Sequence, residues 1–351
     1  MRQYSVFVPI VICLFILGCE KSEHEPATAA PKEVALQSDA EKYAKVLEII
    51  KENFGTVQSD ENGKIIGVDL ADKRTSVGDA AFESVVSITG LKKLSVSGAG
   101  LSAKSLALLG DLRDLEELFL QDTATTDDDL LHLSENLTQL KRLRFRRLAY
   151  VSDEGIEYLL KLKQLRVLAL IDMPAIHGKS IEIIAKNRTI TSLDLRNCSL
   201  LQVRDYQILS EMKQLTELKV SGVSIDDSVV DVIRKFPRLT SLTIEDAMVS
   251  RECMAGLFAD PDFAARMKSL YFARMAGIVN DKLLIELKDF PQLKTLSIKQ
   301  IPVSGTFLTE WLKAEKHPPL EELILDRVML KPEARDAISK FETLKRIDIS
   351  E

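Results

Sequence analysis

One hydrophobic pattern runs through most of the chain. Leucine-type residues stand at spacing 1, 4, 6 in Leu115-Leu118-Leu120, and the same spacing returns at Leu91-Leu94-Val96, Leu140-Leu143-Phe145, Leu165-Leu168-Leu170 and Ile190-Leu193-Leu195. It continues through Leu215, Leu239, Met267, Leu293 and Leu320, closes at Leu344-Ile347-Ile349, and has a weaker forerunner at Ile65-Val68-Leu70. Consecutive copies are 24 to 28 residues apart, without a lost step. Within each copy, alternation predicts a short strand whose apolar residues face one way and whose intervening residues face the other. About ten residues later an i, i+3, i+4 set, such as Ile156, Leu159 and Leu160, predicts a helix burying one stripe. Ser102, Asp127, Ser152, Asp226, Ser250, Asn280 and Ser304 are the expected helix caps, and Pro332 fits a first helical position. One unit cannot bury its apolar side alone, so the units must stack.

A strand-plus-helix unit of this length, repeated in register, is a leucine-rich-repeat pattern. The expected fold is an α/β solenoid of about 12 repeats over residues 65–351, with a curved parallel sheet on the concave face and helices on the convex face. Junctions such as Val151-Ser152-Asp153-Glu154-Gly155-Ile156 resemble those of bacterial leucine-rich-repeat proteins, themselves similar to the cysteine-containing repeats of F-box adaptors. That class places Asn or Cys three residues after the last leucine. Here the position begins at Lys73 and only Cys198 fits; Ala99, Thr123, Leu148, Met173, Val223, Ala247, Met275, Ile301 and Val328 predict an apolar column instead through most of the array. The resemblance implies a fold and a tendency to bind, and the fold hosts few catalysts.

Residues 39–64 read as an N-terminal cap. A helix from Asp39 to about Asn53 carries Tyr43, Val46, Leu47, Ile50 and Phe54 on one face and stops at Gly55. A hairpin turning at Asp60-Glu61-Asn62-Gly63 then joins strands over residues 56–59 and 64–70. No equivalent cap is expected at the other end, where Arg346, Asp348 and Glu351 would blunt an edge strand containing Ile347 and Ile349.

Residues 1–18 read as an export signal, with an apolar run over residues 6–17 too short to span a bilayer of roughly 30 Å. The run ends Ile16-Leu17-Gly18-Cys19, which resembles a bacterial lipobox and implies acylation of Cys19. Leu17 is larger than the residue usual there, and a plain secretory signal is the alternative. Two or three acyl chains would anchor the protein stably. The lipoprotein resemblance further implies the outer membrane of the cell envelope, because Glu20 stands where an Asp would mark inner-membrane retention, with periplasmic or secreted protein as the other outcome. Residues 19–38 are a polar linker.

Composition narrows the function. With 46% hydrophobic residues the chain can fill a core, and a formal net charge of −6 without a basic stripe argues against nucleic acid. No motif for a nucleophile, phosphate loop or metal appears, so no catalytic residue, cofactor or metal ligand is expected. Cys198 and Cys253 lie two repeats apart, too far to bridge, and read as buried small hydrophobes. Asp127-Asp128-Asp129 and Asp226-Asp227 read as helix-start acids.

The outward strand positions are where binding is expected. The repeat at Leu140 places Arg142, Arg144, Arg146 and Arg147 there. Lateral bookkeeping sets Arg142 beside Glu117 and Arg147 between Asp122 and Asp172. Arg144 falls between Phe119 and Ala169, and Arg146 between Gln121 and Ile171, both without a lateral carboxylate. Arg144, Arg146, Phe119 and Ile171 are therefore the expected contact patch for a protein partner. The competing expectations are a spacer protein that assembles through its repeat edge, and a binder of an acidic peptide or glycan at the arginines.

Overall fold

The computed structural model describes residues 43–71 and 76–350, of which those from Val46 onward belong to one compact unit. Cys19, the export signal, the linker, the Asp39 cap, Lys73 and Glu351 lie outside the described residues. Among the described ones, thirteen strands follow one another across a single sheet in chain order. They are β1 (Thr56–Ser59), β2 (Ile65–Leu70), β3 (Lys93–Ser97), β4 (Glu117–Gln121), β5 (Arg142–Arg146), β6 (Val167–Ile171) and β7 (Ser192–Asp194), then β8 (Glu217–Ser221), β9 (Ser241–Glu245), β10 (Ser269–Ala273), β11 (Thr295–Lys299), β12 (Glu322–Asp326) and β13 (Arg346–Ser350). β1 and β2 are antiparallel, and every later pair is parallel. The chain folds as the leucine-rich-repeat solenoid its spacing predicts.

The register explains why leucine recurs. Leu118, Leu143, Leu168, Leu193 and Leu218 are direct partners across β4 to β8, and each is at most 2% exposed. Each buried leucine contributes about 1.5–3 kcal/mol relative to an exposed one, and stacking lets every repeat finish the core of its neighbour. Among the described residues no helix is long and apolar enough to cross a membrane.

Beyond the strands the backbone has a feature that residue type conceals. The residue just past the end of β3 to β6 and of β8 to β12, and Asn197 three residues past β7, lies in the left-handed region: Gly98, Asp122, Arg147, Asp172, Asn197, Gly222, Asp246, Arg274, Gln300 and Arg327. Asp122 N–H then donates to the Arg146 carbonyl at 3.0 Å, and Arg147 N–H to that of Ile171 at 3.1 Å. The ladder thus runs one step past most strands as the chain turns away, while the Asn197 and Arg327 amides donate to the Ser221 and Ser350 hydroxyls instead. Two of these positions are glycines with φ 108°, against about 55° elsewhere, and they correct the expected apolar column. After Gly98 and Gly222 the chain turns differently, so Ala99 and Val223 are exposed while Leu101 and Ile225 fill the core. Buried Thr123 is also polar, and its hydroxyl pairs with that of Thr125 at 2.8 Å.

The caps at Ser102, Ser152, Asp226, Ser250 and Asn280 form as expected, with Pro332 at a first helical position. Two differ. Thr126, not Asp127, caps the helix Asp127–Asn136 through a reciprocal box with Asp129, and Gly305 rather than Ser304 precedes Thr306–Trp311. Asp127 is thereby free to reach the next repeat, where it accepts from the Ser152 amide at 2.8 Å and its hydroxyl at 2.6 Å. Asp79, Asp153, Asp227 and Asp281 do the same for Ser102, His177, Ser250 and Ser304. These helix-start acids satisfy the neighbour's orphan amides rather than their own. Gly155 is required beside one of them, because a Cβ there would collide with the Asp127 carboxylate.

The N-terminal helix covers residues 43–52 among those described. Val46 and Ile50 are buried, but Leu47 and Phe54, expected on the same face, are 41% and 47% exposed. Phe54 itself takes the left-handed conformation that ends the helix. Gly55 serves a different need from the expected stop: a Cβ there would come within 2.6 Å of Leu70 Cδ2 and 2.7 Å of Ile50. The chain therefore turns tightly onto β2.

Candidate functional site

The outward side chains of β4, β5 and β6 meet in register. Glu117, Phe119 and Gln121 stand opposite Arg142, Arg144 and Arg146, which stand opposite Val167, Ala169 and Ile171. Three strands thus present one row with an acid and an aromatic, one row entirely of arginine, and one entirely apolar. A cleft of about 350 Å³ opens over the rows from β1 to β6, with Asp69, Lys93, Phe119, Arg142, Arg144 and Val167 in its lining. The hairpin strand β1 supplies one wall through Thr56, Val57 and Gln58.

Arg144 is exposed and lies over the Phe119 ring, 5.4 Å from its centroid. No carboxylate among the described residues is within 4.0 Å of it, as expected. Arg146 corrects the other half of that expectation. Its Nε donates to Asp172 Oδ2 at 3.1 Å. Asp172 sits past the end of β6, and its left-handed backbone (φ 54°) directs the carboxylate diagonally onto β5, which same-register bookkeeping does not count. Ile171 remains half-buried beside Arg146.

The surrounding charges are committed to one another. Arg147 donates to both Asp122 oxygens at 2.6 Å, and the Arg147 guanidinium holds the Asp122 carboxyl below the usual range. Lys141 contacts Glu116 at 2.6 Å and lowers its carboxyl likewise. Arg142 reaches Glu117 only at 3.9 Å, while Lys93 lies 3.5 Å from the same oxygen. A second depression, of about 230 Å³, lies over Arg196, Lys219, Tyr271 and Lys299. There Arg196 is clamped by Asp194 at 2.8 Å and Glu245 at 2.9 Å, and Lys219 by Glu217 at 3.0 Å.

The thiols do not face this row of charges. Cys198 is buried, donates to the Leu170 carbonyl at 3.2 Å, and burial pushes its thiol up to about 12. Cys253 is free as well but only half-buried, on the helix Arg251–Phe258. Among the described residues no group of three His, Cys, Asp or Glu side chains gathers as a metal would need.

Neither a protein-family description nor a curated protein matches the chain. Several solved structures align with most of the chain at low identity. An internalin (InlF) of Listeria monocytogenes is 17% identical over 87% of this chain and 88% of its own, with a TM-score of 0.43. A chain of the yeast Rad7–Elc1 complex is 15% identical over 91% of this chain and 98% of its own, TM-score 0.48. A TLR13 structure with ssRNA13 is 20% identical over 75% of this chain and 36% of its own, TM-score 0.44.

Proposed function

We propose that this protein is a non-enzymatic interaction module that captures a protein partner on the outward face of β4 to β6. One observation carries the reading: Arg144 stands exposed over Phe119 without a carboxylate, beside the apolar row of β6, while nearby charges are engaged internally. Arginine and aromatic side chains are those whose burial dominates interface energies. The fold alone does not choose a partner class, since unrelated functions share it. The net charge of −6 favours protein over nucleic acid.

The reading also takes residues 1–18 as an export signal and Cys19 as the lipid attachment point, with the module held at the cell envelope. Its support is the apolar run over residues 6–17 and the Ile16-Leu17-Gly18-Cys19 sequence. Incorporation of labelled palmitate into wild type and not into Cys19→Ala, with release of the variant from membranes, is the expected result. Label in both would move the attachment away from Cys19, and label in neither would remove the anchor and leave the module.

The face is tested by immobilising the full chain and its Ala169→Arg variant, and identifying what each retains from envelope extract. Ala169 stands in register between Arg144 and Asp194 and is only 4% exposed, so a long side chain there must push out over the face, and the melting temperature reports whether the fold is kept. A partner retained equally by both, at unchanged melting temperature, would place binding elsewhere.

A further inference from the structure

No other three-strand block of the face repeats the sequence of rows seen at β4, β5 and β6. The arginine row is one strand wide, about 4.8 Å. On one side lie Glu117 and Phe119; on the other lie Val167, Ala169 and Ile171. Within the row, Arg146 is held by Asp172 at 3.1 Å and Arg142 leans toward Glu117 at 3.9 Å. Arg144 alone has only a ring for company. The Phe119 ring, 5.4 Å from the Arg144 guanidinium carbon, restrains that end of the side chain and leaves its donor fork open to a ligand.

Beside it the β6 row presents half-buried Val167 and Ile171, with Ala169 covered between them at 4% exposure, and Val167 shares the cleft with Arg144. Taking the face as a protein-binding surface, we propose that the partner presents one acidic side chain to Arg144, flanked by an aliphatic or aromatic side chain laid on the apolar row at Val167. The two contacts reinforce each other. An apolar group at Val167 excludes water from the Arg144–carboxylate pair, and an ion pair strengthens as water leaves. A row of phosphates fits the same strand poorly. It would have to displace Asp172 from Arg146 and would meet Glu117 at the other end. The pattern leaves room for a single carboxylate.

The test selects from a displayed library of random twelve-residue peptides on the immobilised full chain, on Arg144→Gln, on Arg144→Lys and on Ala169→Arg. Peptides selected on wild type should carry Asp or Glu within two or three positions of Leu, Ile, Phe or Tyr. Their affinity should fall about ten- to a hundred-fold on Arg144→Gln, and less on Arg144→Lys, which keeps the charge but loses the fork. Replacing the acid by its amide should match the Arg144→Gln loss. Selected peptides without an acid, or ones bound equally by Arg144→Gln, overturn the carboxylate assignment, and if Ala169→Arg still displaces them the face reading stands. Binding untouched by Ala169→Arg overturns both. A uridine oligonucleotide that competes at equimolar concentration would replace the acidic peptide by a polyanion and likewise end the proposal.

Discussion

Arg147 closes both donors of its fork on Asp122, and each of the two residues occupies left-handed backbone one strand apart, at φ 52° and 56°. The pair joins two turns that residue type would not select. An L-residue in that region costs about 1–2 kcal/mol. A lateral ion pair between two such turns offsets part of that cost and fixes the register of neighbouring repeats.

The pair makes a pH prediction. Arg147 lowers the Asp122 carboxyl below its ordinary value, so the stabilisation it brings is complete above the unfolded carboxylate's value and is lost as pH falls through the lowered folded value. Both side chains are about 40% exposed, so the contribution at neutral pH is about 0.5–1 kcal/mol at most and shrinks with salt. Following the Asp122 carboxyl by carbon NMR should show an upward move in Arg147→Gln. An unchanged titration would mean that the contact does not persist in solution.

Gln300 tests the backbone side of the same column. It sits at φ 55°, and its amide donates to the Asp326 carbonyl at 2.8 Å, a bond that glycine keeps. Glycine already occupies two equivalent positions, at Gly98 and Gly222. Gln300→Gly should therefore stabilise by about 0.5–1 kcal/mol, the left-handed penalty less glycine's added freedom in the unfolded chain. Asp122→Gly should gain less or lose stability, because it also breaks the Arg147 contact. Denaturant unfolding of the two variants gives the ranking, and the opposite order would show that the ion pair contributes nothing.

The thiols yield a labelling prediction. Burial pushes Cys198 up to about 12 and Cys253 up to about 11. At pH 8 the thiolate is then on the order of one part in ten thousand for Cys198 and one in a thousand for Cys253. Iodoacetamide should modify half-buried Cys253 first and reach Cys198 only as urea opens the fold. Equal rates in native protein would contradict the packing around Leu170.

The leucine spine and the hairpin were legible because both are written in residue type and spacing. The left-handed column was not, since Asp, Arg, Asn and Gln occupy it without a shared chemistry and only the glycines at Gly98 and Gly222 announce it. Two differences follow from it. The expected apolar position fails at Ala99 and Val223, which are exposed, and same-register neighbours omit the diagonal reach of the Asp172 carboxylate to Arg146. Phe119, Arg144 and Ala169 were placed correctly because strict parallel register makes lateral neighbours readable from equivalent positions. The caps show the same division. A hydroxyl or Asn before a helix is visible in sequence, whereas an aspartate serving the following repeat is visible only once the stacking is known.

That last relation can be tested at Asp153. The helix Gly178–Lys186 starts at His177, whose side chain makes no capping bond. The cap comes from the preceding repeat. Asp153 accepts from the His177 amide at 2.8 Å, the Ser180 amide at 3.2 Å and the Ser180 hydroxyl. Burial alone would raise the Asp153 carboxyl, but these donors bring it below its ordinary value, so its contribution too is present above the unfolded value and fades as pH falls through the folded one. Asp153→Ala takes the acceptor from the His177 amide and the Ser180 hydroxyl, while the Ser180 amide keeps the His177 carbonyl at 3.0 Å, and should cost about 0.5–2 kcal/mol. The loss should be local. Exchange of the His177 amide should accelerate most, while the Ser152 amide, held by Asp127 at 2.8 Å, keeps its rate. Equal acceleration at both would show that Asp153 supports the fold generally rather than capping its neighbour.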